Sequence, residues 1–184
     1  MSLRIYILLV LAMFAVSTSP IIARYLAHLS PITIALWRMV IAAFIMSCYG
    51  YYQYDFKPIS PSNKIKIAIA GILLGTHFAL FYGAIALMPN NIANATVFGT
   101  MAPLFALFIE IHFGKSISKK LIFGLLIVLL GSSIMFIYDF NIDNNLTIGN
   151  ILAILCSICF AFVFILSDQV NKTESSFNFS KNVF

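Results

Sequence analysis

This sequence predicts an all-α, polytopic transmembrane helix bundle of six spans, and three observations carry that expectation. Composition comes first: 61% of the 184 residues are hydrophobic, 9% are charged, and the mean hydropathy is +1.00. So little polar surface cannot coat a water-soluble globule. Second, six separate stretches are long and apolar enough to cross a bilayer, whose hydrocarbon core of about 30 Å demands about 20 residues of helix. Third, nearly all of the 11 Lys and Arg residues fall in alternate gaps between those stretches. Such sorting orients a chain in a membrane. With no basic stripe interleaved with exposed aromatics, the net charge of +5 is not the footprint of a nucleic-acid partner.

The first span, residues 5–23, has no charge between Arg4 and Arg24. Its brevity and its Ser17-Thr18-Ser19 also fit a cleavable signal peptide; retention is the expectation, and N-terminal sequencing decides it. The second, about 32–52, contains Arg38, and the third runs from about 65 to 88. Pro89, Asn90 and Asn91 then break the apolar run with a turn signal, and the fourth continues over about 92–113. The fifth covers 121–138. Asp139, Asn141, Asp143, Asn144 and Asn145 make a polar loop before the sixth, 149–167, and the tail 168–184 is polar and too short for another span.

Counting bases in the short loops fixes the orientation. Arg4, Lys57, Lys64, Lys66, Lys115, Lys119, Lys120, Lys172 and Lys181 all fall on one side, against Arg24 alone on the other. Both termini are therefore expected in the cytoplasm. Tyr49, Tyr51, Tyr52 and Tyr54 gather at the inner end of the second span, where rings with a polar tip prefer the headgroup layer.

Polar and small residues inside the spans are the candidates for function, because an ionisable group in lipid is retained mainly where it is used. Arg38 sits about 9 Å below the outer surface; a place in the substrate path and an outward-snorkelling stem both fit it. His77 falls near the midplane, too deep to reach water unaided, so a helical partner or a wet cavity must satisfy it. Glu110 lies within a turn of the cytoplasmic end of the fourth span, close to His112 and Lys115, and reads first as part of an interfacial ion cluster. Asn90 and Asn91 read as helix caps, whereas Asn94 is placed to cap or to face a cavity. Gly71, Gly75, Ala79 and Gly83 recur every four residues and predict a groove for close helix packing. Pro20 and Pro103 interrupt helices, and the carbonyls they free are tolerated where they line protein or water. Cys156 and Cys159 form a lone C-x-x-C with no second ligand pair, so packing is expected rather than metal.

The residues also match a family. Ser19-Pro20, and then Ser30-Pro31-Ile32-Thr33-Ile34-Ala35-Leu36-Trp37-Arg38, resemble the first two helices of the EamA-type drug/metabolite transporters, where a proline-led helix carries an arginine. The runs 77–86 and 94–107, which hold His77, Asn94 and Pro103, resemble the third and fourth helices. Gly114 to Ser118, followed by Gly124 through Gly131, is similar to the family's loop and fifth helix. The likeness covers a complete five-helix repeat, residues 1–138. Residues 139–167 resemble the outer loop and first helix of a second, incomplete repeat, and 168–184 read as a polar cytoplasmic tail.

That resemblance implies a permease of a bacterial cytoplasmic (inner) membrane, moving small organic metabolites or drugs by alternating access between two inverted repeats. It implies no cofactor. Lys115 stands where the family usually has an acidic residue, so that acid's role does not carry over; Arg38 and Pro103 do match. Four helices of the usual ten are missing, so a truncated product is expected, completed if at all by a second chain of opposite orientation. The base bias forbids one chain inserting both ways up. A non-transporting remnant, scaffold or partner subunit is the rival reading. An enzyme is not expected, since the chain has no H-E-x-x-H, no G-x-S-x-G and no paired carboxylates at a common depth.

Overall fold

The computed structural model of the protein describes residues 3–52, 58–114, 118–140 and 144–184, apart from the side chains of Arg4, Asp139 and Phe140. Tyr54, Lys57, Lys115, Asn141 and Asp143 lie outside the described residues, as do the side chains of Arg4 and Asp139. Eight helices follow one another: α1 (Leu3–Tyr25), α2 (Pro31–Tyr52), α3 (Pro61–Leu87), α4 (Ile92–Gly99), α5 (Ala102–His112), α6 (Lys119–Phe140), α7 (Asn144–Val170) and α8 (Ser176–Val183). Six spans result among the described residues, α4 and α5 together making the fourth. All six apolar stretches of the sequence are thus helical and long enough to cross.

The core is the pairing of α3 with α7, the most extensive contact in the bundle. α3 contributes large side chains at helical spacing, Leu74, Phe78, Phe81 and Ile85, and α7 contributes small ones, Gly149, Ala153, Cys156, Ser157 and Ala161. Small residues let the two backbones approach closely, which matters in lipid, where no hydrophobic force draws helices together. α1, α2 and α6 pack around this pair and leave most of their large apolar side chains exposed, as a lipid-facing surface requires.

Two expectations need correction, those for Pro20 and Asn91, while the interruption expected at Pro103 is present. The fourth span is broken at Thr100 and Met101, between α4 and α5. Pro103 lacks the N–H that would pair the Gly99 carbonyl four residues earlier, so an unbroken helix cannot be closed there. Pro20, by contrast, does not interrupt its helix: α1 runs through it. Asn91 occupies the N-cap of α4 without a side-chain capping bond, because its ψ of 43° is far from the extended value that aims a cap at the following amides. The turn is closed by backbone instead, with the Asn91 amide donating to the Met88 carbonyl at 3.0 Å. The polar tail carries a short helix of its own. α7 continues to Val170, and residues 176–183 fold back as α8 against α2 and α3.

α8 is held by both its faces. Ser175 caps it, accepting from the Asn178 amide at 3.1 Å. Phe179 and Val183 are buried, and the Phe177 ring meets Tyr49 edge-on at 5.4 Å. Glu174 accepts hydrogen bonds from the Ser60 backbone amide (3.0 Å), the Asn178 side-chain amide (3.0 Å) and the Asn63 side chain (3.4 Å), tying the α7–α8 turn to the start of α3. The Ser60 amide foremost, then Asn178, holds its carboxyl below the usual range.

The glycine stripe of α3 is shared among three neighbours rather than offered to one helix. A Cβ at Gly71 would lie 2.8 Å from the Val183 carbonyl oxygen of α8, and one at Gly83 would lie 3.5 Å from Leu152 of α7. Gly75 has open space, and with Ala79 it lines a cavity of about 460 Å³ together with α2 and Phe184.

Candidate functional site: a cavity around Arg38 and His77

A cavity of about 360 Å³ is enclosed by α1, α2, α3, α4, α5 and α7. It gathers three of the residues singled out from the sequence, Arg38, His77 and Pro103, together with Pro20. Asn94 and Glu110 line neither this cavity nor the others described. Asn94 stays in the first turn of α4. Glu110 is half-buried near the end of α5, beside an exposed His112 whose ring meets Phe113 edge-on at 5.8 Å; Lys115, its expected partner, is outside the described residues.

Arg38 is held by residues of two neighbouring helices. Its guanidinium turns sideways across α1 and α3: Nη1 donates to the Ser19 hydroxyl and to the Tyr82 hydroxyl at 2.8 Å, and the group sits 4.2 Å from the centroid of the Phe78 ring. A charge in lipid needs such partners, and the aromatic face adds a cation–π attraction of about 0.5–2 kcal/mol. Ser19 and Arg38 also line a second cavity of about 570 Å³ between α1 and α2. The Arg38–Ser19–Tyr82 cluster is therefore the partition between two spaces.

His77 is buried in the α3–α7 contact. Its Nδ1 lies 2.8 Å from the Cys156 carbonyl, which only accepts, so Nδ1 carries a proton and donates. That fixes the tautomer and leaves Nε2 as the ring atom with which a cavity occupant must bond. Rings surround it: Phe160 stacks at 4.5 Å, Phe81 lies parallel at 6.3 Å, and Phe78 meets it edge-on at 5.0 Å.

The broken fourth span forms a further wall through Thr96, Gly99, Thr100, Ala102 and Pro103. Its carbonyls are not left bare. Ser157 donates to the Phe98 carbonyl at 2.6 Å, and the Cys156 thiol lies 3.9 Å from the Gly99 carbonyl, the one that Pro103 leaves unpaired. Likewise Val16, whose carbonyl Pro20 cannot pair, lines the cavity. Both proline sites thus open onto the same space, where freed carbonyls are tolerated.

Sequence reasoning named the ionisable groups and the prolines but missed their partners. Ser19 and Tyr82 lie inside the quoted runs, yet nothing in one sequence pairs Arg38 with residues 19 and 44 positions away. Ser157 and Cys156, which bond the carbonyls at the break, carry no local signal for that role.

No curated protein and no solved structure matches the chain. A family model does, that of the EamA-like transporter family, over residues 3–137 of the 184, from α1 almost to the end of α6. The match takes in five of the six spans, the arginine-bearing second helix and the proline-broken fourth, and on that extent the chain belongs to the EamA-like transporter family.

Proposed function

We propose that the protein serves as a permease for small organic solutes, working by alternating access, with the Arg38–His77 cavity as the place where the solute pauses. The observation that carries this reading is the convergence, in one space of about 360 Å³, of the two ionisable groups found deep in the spans with both proline-relaxed helix segments. Pockets that hold small molecules start at about 300 Å³ and are apolar with a few directed polar groups, which is this cavity's character. Movement past Arg38 into the second cavity requires the guanidinium to release Ser19 or Tyr82. Rocking of α1 and α2 against the α3–α7 core, hinged where α4 meets α5, supplies that step.

The lysine-rich end faces the cytoplasm of a bacterial inner membrane in this reading, by the bias of basic residues. Residues 1–138 act as one repeat in this reading. The test is solute counterflow in proteoliposomes containing the whole chain. Arg38→Ala and His77→Ala, inserted at wild-type levels, are expected to lower the rate at least about tenfold, while Glu110→Gln and Asn94→Ala stay within about twofold. Unchanged counterflow in Arg38→Ala overturns the assignment.

A further inference from the structure

Resting on the proposed reading of this cavity, we infer that its cargo is a small organic anion with a planar, unsaturated body. The charge argument begins with a census. The chain has six carboxylates, Asp55, Glu110, Asp139, Asp143, Asp168 and Glu174. Five of them lie outside the apolar spans or at their margins, and Glu110 sits near the end of α5, away from the cavity. Arg38 is the formally charged side chain lining the space, and no carboxylate lines it among the described residues. A cationic cargo entering here would meet a like charge and no counterion.

An anion meets the opposite. Arg38 is held by two neutral hydroxyls, both on Nη1. A guanidinium carries five N–H donors, so those two bonds leave most of its fork to be matched by a carboxylate-, sulfonate- or phosphate-like group. The other polar groups of the wall do not compete for that role. The hydroxyls of Thr96 and Thr100 already donate to the carbonyls of Ile92 (2.8 Å) and Thr96 (2.9 Å), so what they offer an occupant is an acceptor, not a charge.

The shape of the body follows from the walls. Phe78, Phe81, Phe160 and Phe164 line the space with the His77 ring. Phe160 and Phe164 are 4.6 Å apart with their planes tilted by 40°, and Phe81 lies within 4° of the His77 plane at 6.3 Å, so the wall is a cluster of aromatic rings, the surface on which an unsaturated ring packs best. At about 360 Å³ the cavity is at the small end of ligand pockets and admits one ring with its head group, not a two-tailed lipid.

The test uses three solutes that share a phenyl ring and differ in charge: benzenesulfonate, benzenesulfonamide and phenyltrimethylammonium. Trp37 is the single tryptophan, adjacent to Arg38 and lining the α1–α2 cavity, so its emission reports binding to the whole chain in a non-ionic detergent. Benzenesulfonate is expected to bind at least about tenfold more tightly than the sulfonamide, with the cation weakest. Arg38→Gln should erase the difference between sulfonate and sulfonamide; Arg38→Lys should keep the preference at lower affinity, because a lysine is a point charge without the fork. A thermal-melting profile like that of the wild type shows that each variant is folded. Equal binding of all three solutes, or retained preference in a folded Arg38→Gln, overturns the anion assignment and leaves the cavity as a solute site. Tightest binding by the cation does the same. No binding of any of the three at about 10 mM overturns both this assignment and the function proposed above.

Discussion

Replacing Ser157 by alanine tests how the broken fourth span is sustained. The Ser157 hydroxyl is fully buried and donates to the Phe98 carbonyl at 2.6 Å. Without it, that carbonyl keeps the local backbone bonds of the break, from the Thr100 amide and, at 3.4 Å, from the Met101 amide. A buried acceptor left short of a partner in water-soluble proteins costs about 1–3 kcal/mol, whereas hydrogen bonds between membrane helices average about 0.6 kcal/mol with a ceiling of about 1.7. The membrane figure governs here, raised because the acceptor has no alternative partner in the α4–α7 contact. A loss of about 1 kcal/mol, or about fivefold in the folding equilibrium, is expected. The assay is unfolding by titration with a denaturing detergent, followed through Trp37 emission. Thr76→Ala is the control, since the Thr76 hydroxyl is exposed and bonds only to its own helix, to the Ile72 carbonyl; it should cost less than about 0.5 kcal/mol. If Ser157→Ala and Thr76→Ala are indistinguishable, α7 does not hold the break closed, and the α4–α5 junction is stabilised by its own backbone alone.

Gly99→Ala attacks the same junction from the cavity side. A Cβ there would lie 2.8 Å from two ring carbons of Phe81, a ring confined against His77, so overpacking of about 1–3 kcal/mol is expected in the same titration, and wild-type stability would show that the wall yields freely. At the other end of the bundle, Glu174 sets a pH dependence. Because its folded carboxyl titrates below the ordinary 4.5, its contribution to α8 docking is complete above pH 4.5 and is lost as pH falls through the lowered value. Hydrogen-exchange protection of the Ser60 and Phe179 amides should therefore drop in acid, and Glu174→Gln should reproduce the drop at neutral pH. Equal protection of the wild type at pH 7 and pH 3 refutes the latch.

What could be read from the sequence was depth, and what could not was direction around each helix. Span length is a one-dimensional property fixed by hydrocarbon thickness, so all six spans were legible. Arg38 and His77 stood out because charge and apolar surroundings conflict locally. Asn94, placed to cap or to face a cavity, and Glu110, read first as part of an interfacial ion cluster, line none of the cavities described. The cavity face of α4 and α5 runs through Thr96, Thr100 and Pro103; Asn94 precedes Thr96 by two residues, about 200° around the helix. Glu110 shares the azimuth of Pro103 but lies seven residues beyond it, about 10 Å along the axis. The glycine stripe failed to name its partners for a related reason: a period of four defines a face, and three different elements came to meet it. α8 was hidden because eight residues of alternating Phe and polar side chains acquire a preferred side only once Gly50 and Gly71 provide room for it.

The placement of Arg38 has an energetic logic that bears on function. A charged side chain near the centre of a membrane helix costs about 2.5–3.5 kcal/mol on insertion scales. Two interhelical hydrogen bonds of about 0.6 kcal/mol each and a cation–π contact of about 1 kcal/mol recover most of this, but not all. A residual penalty of about 1 kcal/mol remains. A carboxylate buried beside Arg38 would have removed it, at the cost of a permanently occupied guanidinium. Neutral hydroxyls from Ser19 and Tyr82 instead hold the group in position while leaving its charge uncompensated. In the reading proposed above, the unbalanced charge favours an arriving anion, and because Ser19 and Arg38 border both cavities, the same exchange of partners serves either space.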